Sequence, residues 1–319
     1  MKDVFVTGAS GCVGHYVVDE LLARGDCRLH LLVRDPAKLK LPEGSADRVA
    51  IIRDDLLHID AHAELLARMD AVVHLATAWG EAIAYDINVE ATVKMAAHVD
   101  PARCKRFFYF STASILDREN RPLEAAEVHG TDYIRSKYHA YQRLEALPNR
   151  DAITVMFPTL IFGGDDRHPI SHLSRGLPTI LKTLWFLRWF TLDGTLHFIH
   201  AADIARMISH LLDHEPPARD LVLGNAPVTV SALIGQLCDF YSLPHGPAID
   251  LTPLGDMVAK LAGDRMTPWD RYSLTYQHFT YHTTNPRALG MTPGHETIAD
   301  ILAEHEGRAG FAPHLQNTH

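Results

Sequence analysis

Tyr133 and Lys137 lie four residues apart in YIRSK. The segment 133–147 has a helical period and stops at Pro148, so the two side chains share one helix face. A free tyrosine hydroxyl titrates near ~10 and is a poor acid or base at neutral pH. An ammonium beside it favours the phenolate and lowers that value. The pair could then pass a proton to or from a substrate oxygen. A third group should hydrogen-bond that oxygen. FSTAS, residues 110–114, offers Ser111, Thr112 and Ser114 at the end of an apolar run. Taken alone, Y-x-x-x-K also describes a solvated helix face, so its weight comes from what surrounds it.

A second chemistry-bearing stretch stands near the N-terminus. TGASGCVG places Gly8, Gly11 and Gly14 directly after Val4-Phe5-Val6 and before the helical run 13–24. Where a strand ends and a helix begins, free backbone N–H groups and the helix dipole favour an anion such as a pyrophosphate. Gly8 would permit the tight turn, Gly11 the approach of the phosphate, and Gly14 close packing of helix on sheet. The spacing is G-x-x-G-x-x-G, which departs from the simplest dinucleotide fingerprint, G-x-G-x-x-G.

The elements that must position these residues alternate. Strands are expected at 4–7, 29–33, 49–52, 71–76, 106–111 and 153–157, with helices at 13–24, 61–68, 85–98 and 133–147. Apolar strands separated by helices of this length mean βαβ units and a parallel sheet. The expected class is therefore α/β, a doubly wound parallel sheet of the dinucleotide-binding (Rossmann) type with a smaller, mixed C-terminal substrate-binding cap. Residues 1–157 would form the dinucleotide-binding domain, and 197–224 would return to it, with strands at 195–199 and 221–224 and a helix at 203–213. Residues 158–196 and 225–319 would form the cap, with a helix over 229–241. The tail after Phe311 is expected to fray.

These separated motifs, in this order, resemble the extended short-chain dehydrogenase/reductase family of NAD-dependent epimerases, dehydratases and reductases, from residue 2 to about 235. TGASGCVG resembles the family's cofactor loop. RDDL (53–56) resembles its aspartate after the third strand, and HLAT (74–77) the segment under the cofactor. INVEAT (87–92) resembles its Asn-containing helix, and HFIHAADIA (197–205) its later strand and helix. The resemblance implies a triad of Thr112, Tyr133 and Lys137, with Ser111 and Ser114 as fallbacks for Thr112. It implies cofactor contacts from Gly8, Ser10, Gly11, Cys12, Val13, Gly14, Asp55, Leu56, Leu75, Ala76, Thr77, Tyr133, Lys137 and Pro158. It also implies a homodimer through the helices near 85–98 and 133–147. The second strand ends LLVRD, where NAD enzymes tend to carry an acid. Arg34 there favours NADP through a clamp on the 2′-phosphate, although Asp35 could serve the ribose of NAD instead.

Departures from the family bear on the substrate. Phe157 precedes Pro158 where Arg is frequent, Leu160 stands where sugar-nucleotide enzymes carry a polar residue, and Thr112 lacks the acidic pair of sugar dehydratases. The segment 177–192, LPTILKTLWFLRWFTL, is apolar nearly all round and reads as cap core, a subunit contact or a greasy lid. The expected substrate is thus an apolar ketone or alcohol. The alternatives are epimerisation of a nucleotide sugar and a non-catalytic cofactor-sensing regulator, against which Tyr133 and Lys137 both count. The net charge of −9 argues against nucleic acid or an anionic membrane as partner. No apolar run is long enough to span a bilayer. Four scattered cysteines and an N-terminus that enters a strand at once fit a cytoplasmic protein without a signal peptide. Histidines are numerous, at 21, and four pairs (58/62, 168/172, 210/214 and 278/282) have i, i+4 spacing. None has an H-E-x-x-H context, and no metal is expected.

Overall fold

A computed structural model describes residues 1–80, 83–254 and 266–306, and the expectation for the tail after Phe311 lies outside them. Seven strands form one parallel sheet: β1 (Lys2–Thr7), β2 (Cys27–Val33), β3 (Val49–Arg53), β4 (Ala71–His74), β5 (Arg106–Phe110), β6 (Ile153–Pro158) and, much later in the chain, β11 (Asp220–Leu223). Their order across the sheet is β11-β6-β5-β4-β1-β2-β3. The chain therefore starts at the middle, winds outward to β3, returns to β4 and winds the other way. That reversal between β1 and β4 opens a crevice at the carboxyl ends of the strands, where α/β sheets bind ligands.

Strand alternation sends adjacent side chains to opposite layers. Phe5, Val72, Phe107 and Val155 join the core on one face, and Val4, Val6, Val73, Phe108 and Met156 the core on the other. Both faces are covered, so the central strands are mainly apolar, whereas edge strand β3 exposes Ala50 and Ile51. One layer holds α1 (Cys12–Ala23) packed on α7 (Ala201–Leu211). The other holds α3 (Thr92–His98) and α5 (Asp132–Glu145). Between them in sequence lie two short helices, α2 (Ala63–Leu66) and α4 (Glu124–His129).

Three expected elements come out differently. The helix at 61–68 is a 3-10 segment, Leu56–His62, running into α2. The helix at 85–98 opens as a π segment, Asp86–Ala91, before α3. That wide turn is where Asn88 leaves the helix pattern to bond the neighbouring loop, the setting in which π turns recur at functional sites. The strand at 195–199 is two strands broken at His197. β9 (Thr195–Leu196) pairs antiparallel with β12 (Val228–Thr229), and β10 (Phe198–His200) pairs parallel with β7 (Leu160–Phe162). His197 turns inward there. Its Nδ1–H donates to the Asn225 carbonyl (2.7 Å) and its Nε2 accepts the Tyr281 N–H (3.1 Å).

Beyond the sheet, α6 (His172–Leu187), α8 (Val230–Phe240) and α10 (Ile298–Glu306) share a third core through Leu177, Leu181, Leu184, Leu237 and Leu302. α9 (Pro268–Tyr276) begins with a complete capping box between Thr267 and Asp270. The small strands β8 (Phe190–Thr191) and β13 (Ile249–Asp250) pair at the far end of α6. Among the described residues, no helix is long and apolar enough to cross a membrane.

Candidate active site

The glycine loop sits in the crevice between β1 and β4. Gly8 has φ +73°, and a Cβ there would stand 2.7 Å from the Ala76 nitrogen on the loop after β4. Only glycine allows both the left-handed turn and that approach. A Cβ on Gly14 would land on the Gly8 carbonyl oxygen and 2.7 Å from Ala9 Cα, so the first turn of α1 is pressed against the loop. Gly11 caps α1 with extended backbone, and no side chain occupies the cap. The first-turn N–H groups thus face the crevice, with Gly8, Gly11, Cys12, Val13 and Gly14 all lining it. Free N–H groups at a helix start have the geometry to receive an anion such as a diphosphate.

Beneath it runs a buried chain of hydrogen bonds. Thr92 Oγ1 donates toward the Ile87 carbonyl (3.4 Å) and accepts from His74 Nε2 (2.8 Å). His74 Nδ1 accepts from Thr7 Oγ1 (2.7 Å), which accepts the Ala76 N–H (3.2 Å). Burial, helped by the Lys137 charge, holds His74 at about 3, so it is neutral and its tautomer is set. Asn88 does the same work on the other side. Its Oδ1 accepts from Thr77 Oγ1 (3.0 Å) and the Ala78 N–H (2.8 Å), and its Nδ2 donates to Ser136 Oγ (2.9 Å) on α5. Leu75, Ala76 and Thr77 are therefore pinned to both β1 and α5. The sequence placed Asn88 in a family-like segment but gave it no role.

Thr112, Tyr133 and Lys137 all line one cavity of about 910 Å³, together with Ser111, Ser114, Leu75, Thr77 and Pro158. Thr112 extends from the end of β5, and the other two project from α5. The Tyr133 hydroxyl engages Thr112. Lys137 is buried and its Nζ donates to the Phe110 carbonyl (2.7 Å), 6.0 Å from the centre of the Tyr133 ring. The expected lowering of the tyrosine by an ammonium is absent from this arrangement. Burial pushes Tyr133 up to about 12, against the opposing Thr112 bond, and lowers Lys137 to about 7. Both groups are desolvated, and each is penalised in its charged form.

Lys137 carries a pH signature. Its folded value lies below the 10.5 of a free lysine, so the burial cost is fully present below about 7 and absent above about 10.5. In that window the unfolded chain binds more protons, and stability of the unliganded protein should rise with pH by at most about 1.4 kcal/mol per unit. Urea midpoints measured across the window should rise for the wild type and stay flatter for Lys137→Met. Equal slopes in the two proteins would refute the assignment.

The remaining cofactor candidates divide. Arg34 and Asp35 stand at the carboxyl end of β2, both exposed. Asp35 Oδ1 accepts the Ala37 N–H (3.2 Å), while Arg34 has no side-chain partner among the described residues. Asp55 follows β3 by two residues and caps the 3-10 turn through the Leu57 N–H (3.0 Å), with Leu56 buried behind it. Ser10 lies on the glycine loop but is absent from the cavity lining.

On the substrate side, the cavity replaces much of the expected argument. Phe157 is fully buried, edge-on to Tyr141, and belongs to the sheet core. Trp185, Phe186, Trp189 and Phe190 do not line the cavity, so the greasy-lid reading of that segment is corrected. They lie beyond the part of α6 that does, which is His172, Leu173 and Arg175. The apolar walls are instead Leu160, Ile161, Ile170, Leu196, Val230, Trp269, Phe279 and Tyr281. Trp79 stacks on the Tyr133 ring at 4.0 Å and 16°, with His172 tilted 5.3 Å away. Sequence reasoning missed Trp79, although it follows HLAT by only two residues. Trp269, Phe279 and Tyr281 carried no local signal, since only the return of the C-terminal segment brings them here.

The histidine pairs find carboxylates or backbone. His58 and His62 both reach Asp54 (2.7 and 2.9 Å), and His168 bridges Asp19 and Asp165. His210 and His214 stack on one another, and His278 bonds Thr195. A different group converges: His200, His295 and Glu304, with both Nε2 atoms 2.9–3.0 Å from one Glu304 oxygen. His200 Nδ1 accepts the Ala202 N–H (3.2 Å), which puts the His200 proton on Nε2, facing the carboxylate. That tautomer offers a metal no lone pair at Nε2. The group instead ties α10 to the start of α7.

The family model described as NAD dependent epimerase/dehydratase family matches residues 4–224. Dihydroflavonol 4-reductase of Hordeum vulgare is 25% identical over 272 residues, 74% of each chain. The terminal R domain from the myxalamid PKS-NRPS biosynthetic pathway superposes with a TM-score of 0.69 at 18% identity, covering 95% of this chain and 89% of that one. DesIV, the dTDP-glucose 4,6-dehydratase from Streptomyces venezuelae solved with NAD and TYD bound, gives 0.63 at 19% identity over 94% of both chains.

Proposed function

Because the chain belongs to the NAD dependent epimerase/dehydratase family, we propose that it is an NAD(P)-dependent oxidoreductase moving hydride between the cofactor and an apolar ketone or alcohol. The observation that carries this reading is the meeting of Thr112, Tyr133 and Lys137 with a diphosphate cradle in one largely apolar cavity. The nicotinamide, when bound, supplies or accepts the hydride. The chain does the rest. Gly8, Gly11 and the first turn of α1 hold the diphosphate, and the loop 75–77 forms the floor. Thr112 Oγ1 donates to the substrate oxygen, and Tyr133 transfers the proton at its hydroxyl. Burial pushes Tyr133 up to about 12, so at neutral pH the hydroxyl carries the proton that a carbonyl reduction would take, and the reverse reaction would return it to the same oxygen. The apolar walls gain about 25 cal/mol for each Å² of apolar substrate surface they bury.

A panel of aliphatic, aromatic and steroid-like ketones and alcohols, run beside uridine-diphosphate sugars, tests the reading by cofactor absorbance and product analysis. Turnover of apolar carbonyls is expected. Turnover of a sugar nucleotide alone would replace this reading with epimerisation or dehydration. The same proposal includes a homodimer through the helices at 86–98 and 132–145.

NADP(H) is the proposed cofactor. Arg34 is unengaged at the end of β2, and Asp35 is occupied by its own turn. A charge-assisted bond to the 2′-phosphate is worth roughly 1.5–3 kcal/mol, so Arg34→Ala should weaken NADPH about tenfold to a hundredfold and leave NADH nearly unchanged. Fluorescence titration of both cofactors against both proteins measures this. Tighter NADH in the wild type would overturn the choice.

A further inference from the structure

The aromatic end of α6 faces away from the cavity. Trp185 is 58% exposed, Phe186 51% and Trp189 40%; Phe186 lies opposite the buried Leu177, Leu181 and Leu184, Trp185 flanks that stripe, and Trp189 follows the helix end. The patch continues past the helix. The Phe186 ring lies 4.9 Å from Phe190, which pairs in register with Ile249, and Ile249 and Leu192 are both exposed. Surfaces in permanent contact with water seldom gather this much apolar area without a use for it.

Charge narrows the use. Between Asp166 and Asp193 the sequence has no acidic residue and four basic ones, Arg167, Arg175, Lys182 and Arg188. Arg167 is paired with Asp19, and Arg188 donates to the Pro244 carbonyl beside the Trp189 ring. Arg175 and Lys182 are exposed and have no ion-pair partner among the described residues. Trp185 and Phe186 stand three and four positions after Lys182, so the cation and the rings share one face. Asp193 and Asp250 lie at the rim, and Asp250 accepts the Thr252 N–H.

We propose that this face docks the protein on an anionic lipid bilayer. Trp185, Phe186 and Trp189 enter the boundary between headgroups and acyl chains, the place suited to rings with an apolar body and a polar edge. Lys182, on the same face as the rings, meets the lipid phosphates. The net charge of −9 points the other way only at long range. With a Debye length of about 8 Å at physiological salt, charges on the far side of the molecule are screened and the local cations decide. Docking is independent of the reaction proposed above.

Flotation of the full chain with vesicles of phosphatidylcholine, alone or in equal parts with phosphatidylglycerol, tests it. Binding should be at least about fivefold stronger to the anionic vesicles and should fall with salt, as expected for a basic side chain near a charged surface. The double variant Trp185→Ser, Phe186→Ser should lose about tenfold or more of the binding, and Lys182→Glu should lose most of the anionic preference. These side chains are exposed, so unchanged melting of the variants is the control for folding. No flotation with either vesicle, or equal flotation of wild type and double variant, would overturn the proposal. So would a double variant that sediments at lower mass than the wild type, which would assign the patch to self-association.

Discussion

Tyr133→Phe should lower turnover by about 10²–10⁴ while cofactor affinity stays within a few-fold of wild type. The variant keeps the ring, and with it the stacking on Trp79, and removes the tyrosine hydroxyl that engages Thr112. The glycine loop and the start of α1, proposed to hold the diphosphate, are backbone features that do not use that oxygen. Cofactor titration and melting therefore separate a lost proton donor from a damaged site. The direction of the effect follows from burial. A hydroxyl held at about 12 is a weak acid, but it is reliably protonated and already placed, and water is a poor substitute within apolar walls. Wild-type turnover of any accepted substrate by the Phe variant would remove Tyr133 from the reaction.

Gly14→Ala should destabilise the fold by about 3 kcal/mol or more and abolish tight cofactor binding. The new methyl would meet the Gly8 carbonyl and Ala9 Cα, which are backbone atoms of the loop itself. Relief requires α1 to back away from β1, and that displaces the N–H groups meant for the diphosphate. Gly25→Ala is the useful contrast. Gly25 follows α1 at φ +81° with nothing within 4 Å of an added Cβ, so it should cost only about 1 kcal/mol, through backbone conformation alone. Denaturant midpoints and cofactor titrations of the two variants check the pair. Similar losses in both would mean that the packing of α1 on the loop is not what makes Gly14 necessary.

Period and order in the chain were enough for the parallel sheet. Strands such as β1, β4 and β6 are buried on both faces over most of their length and so are mainly apolar, and the helices between them show their own repeat. The glycines and the Y-x-x-x-K pair were legible for a related reason: each acts within one turn of chain, where spacing in sequence is spacing in space. Thr112 needed only the additional knowledge that β5 ends beside α5. Elements whose form depends on a side chain reaching out of its own segment were misread. His197 breaks a strand to bond Asn225, and Asn88 widens a helix turn to hold Ala78.

The sequence alone thus determined the fold class, the glycine turn before α1 and the shared helix face of Tyr133 and Lys137, because local sterics and periodicity dictate these. Tertiary structure decided three further matters. It set the electrostatic state of the site, since burial rather than the neighbouring amine governs Tyr133 and Lys137. It chose the walls of the cavity, taking Trp269, Phe279 and Tyr281 from the distant C-terminal segment and placing Phe157 in the core. It also turned the aromatic segment outward and joined His200 to His295 and Glu304, a group no spacing could reveal. All three depend on which surfaces meet when layers pack, and burial, dielectric and long-range contact exist only once they have met.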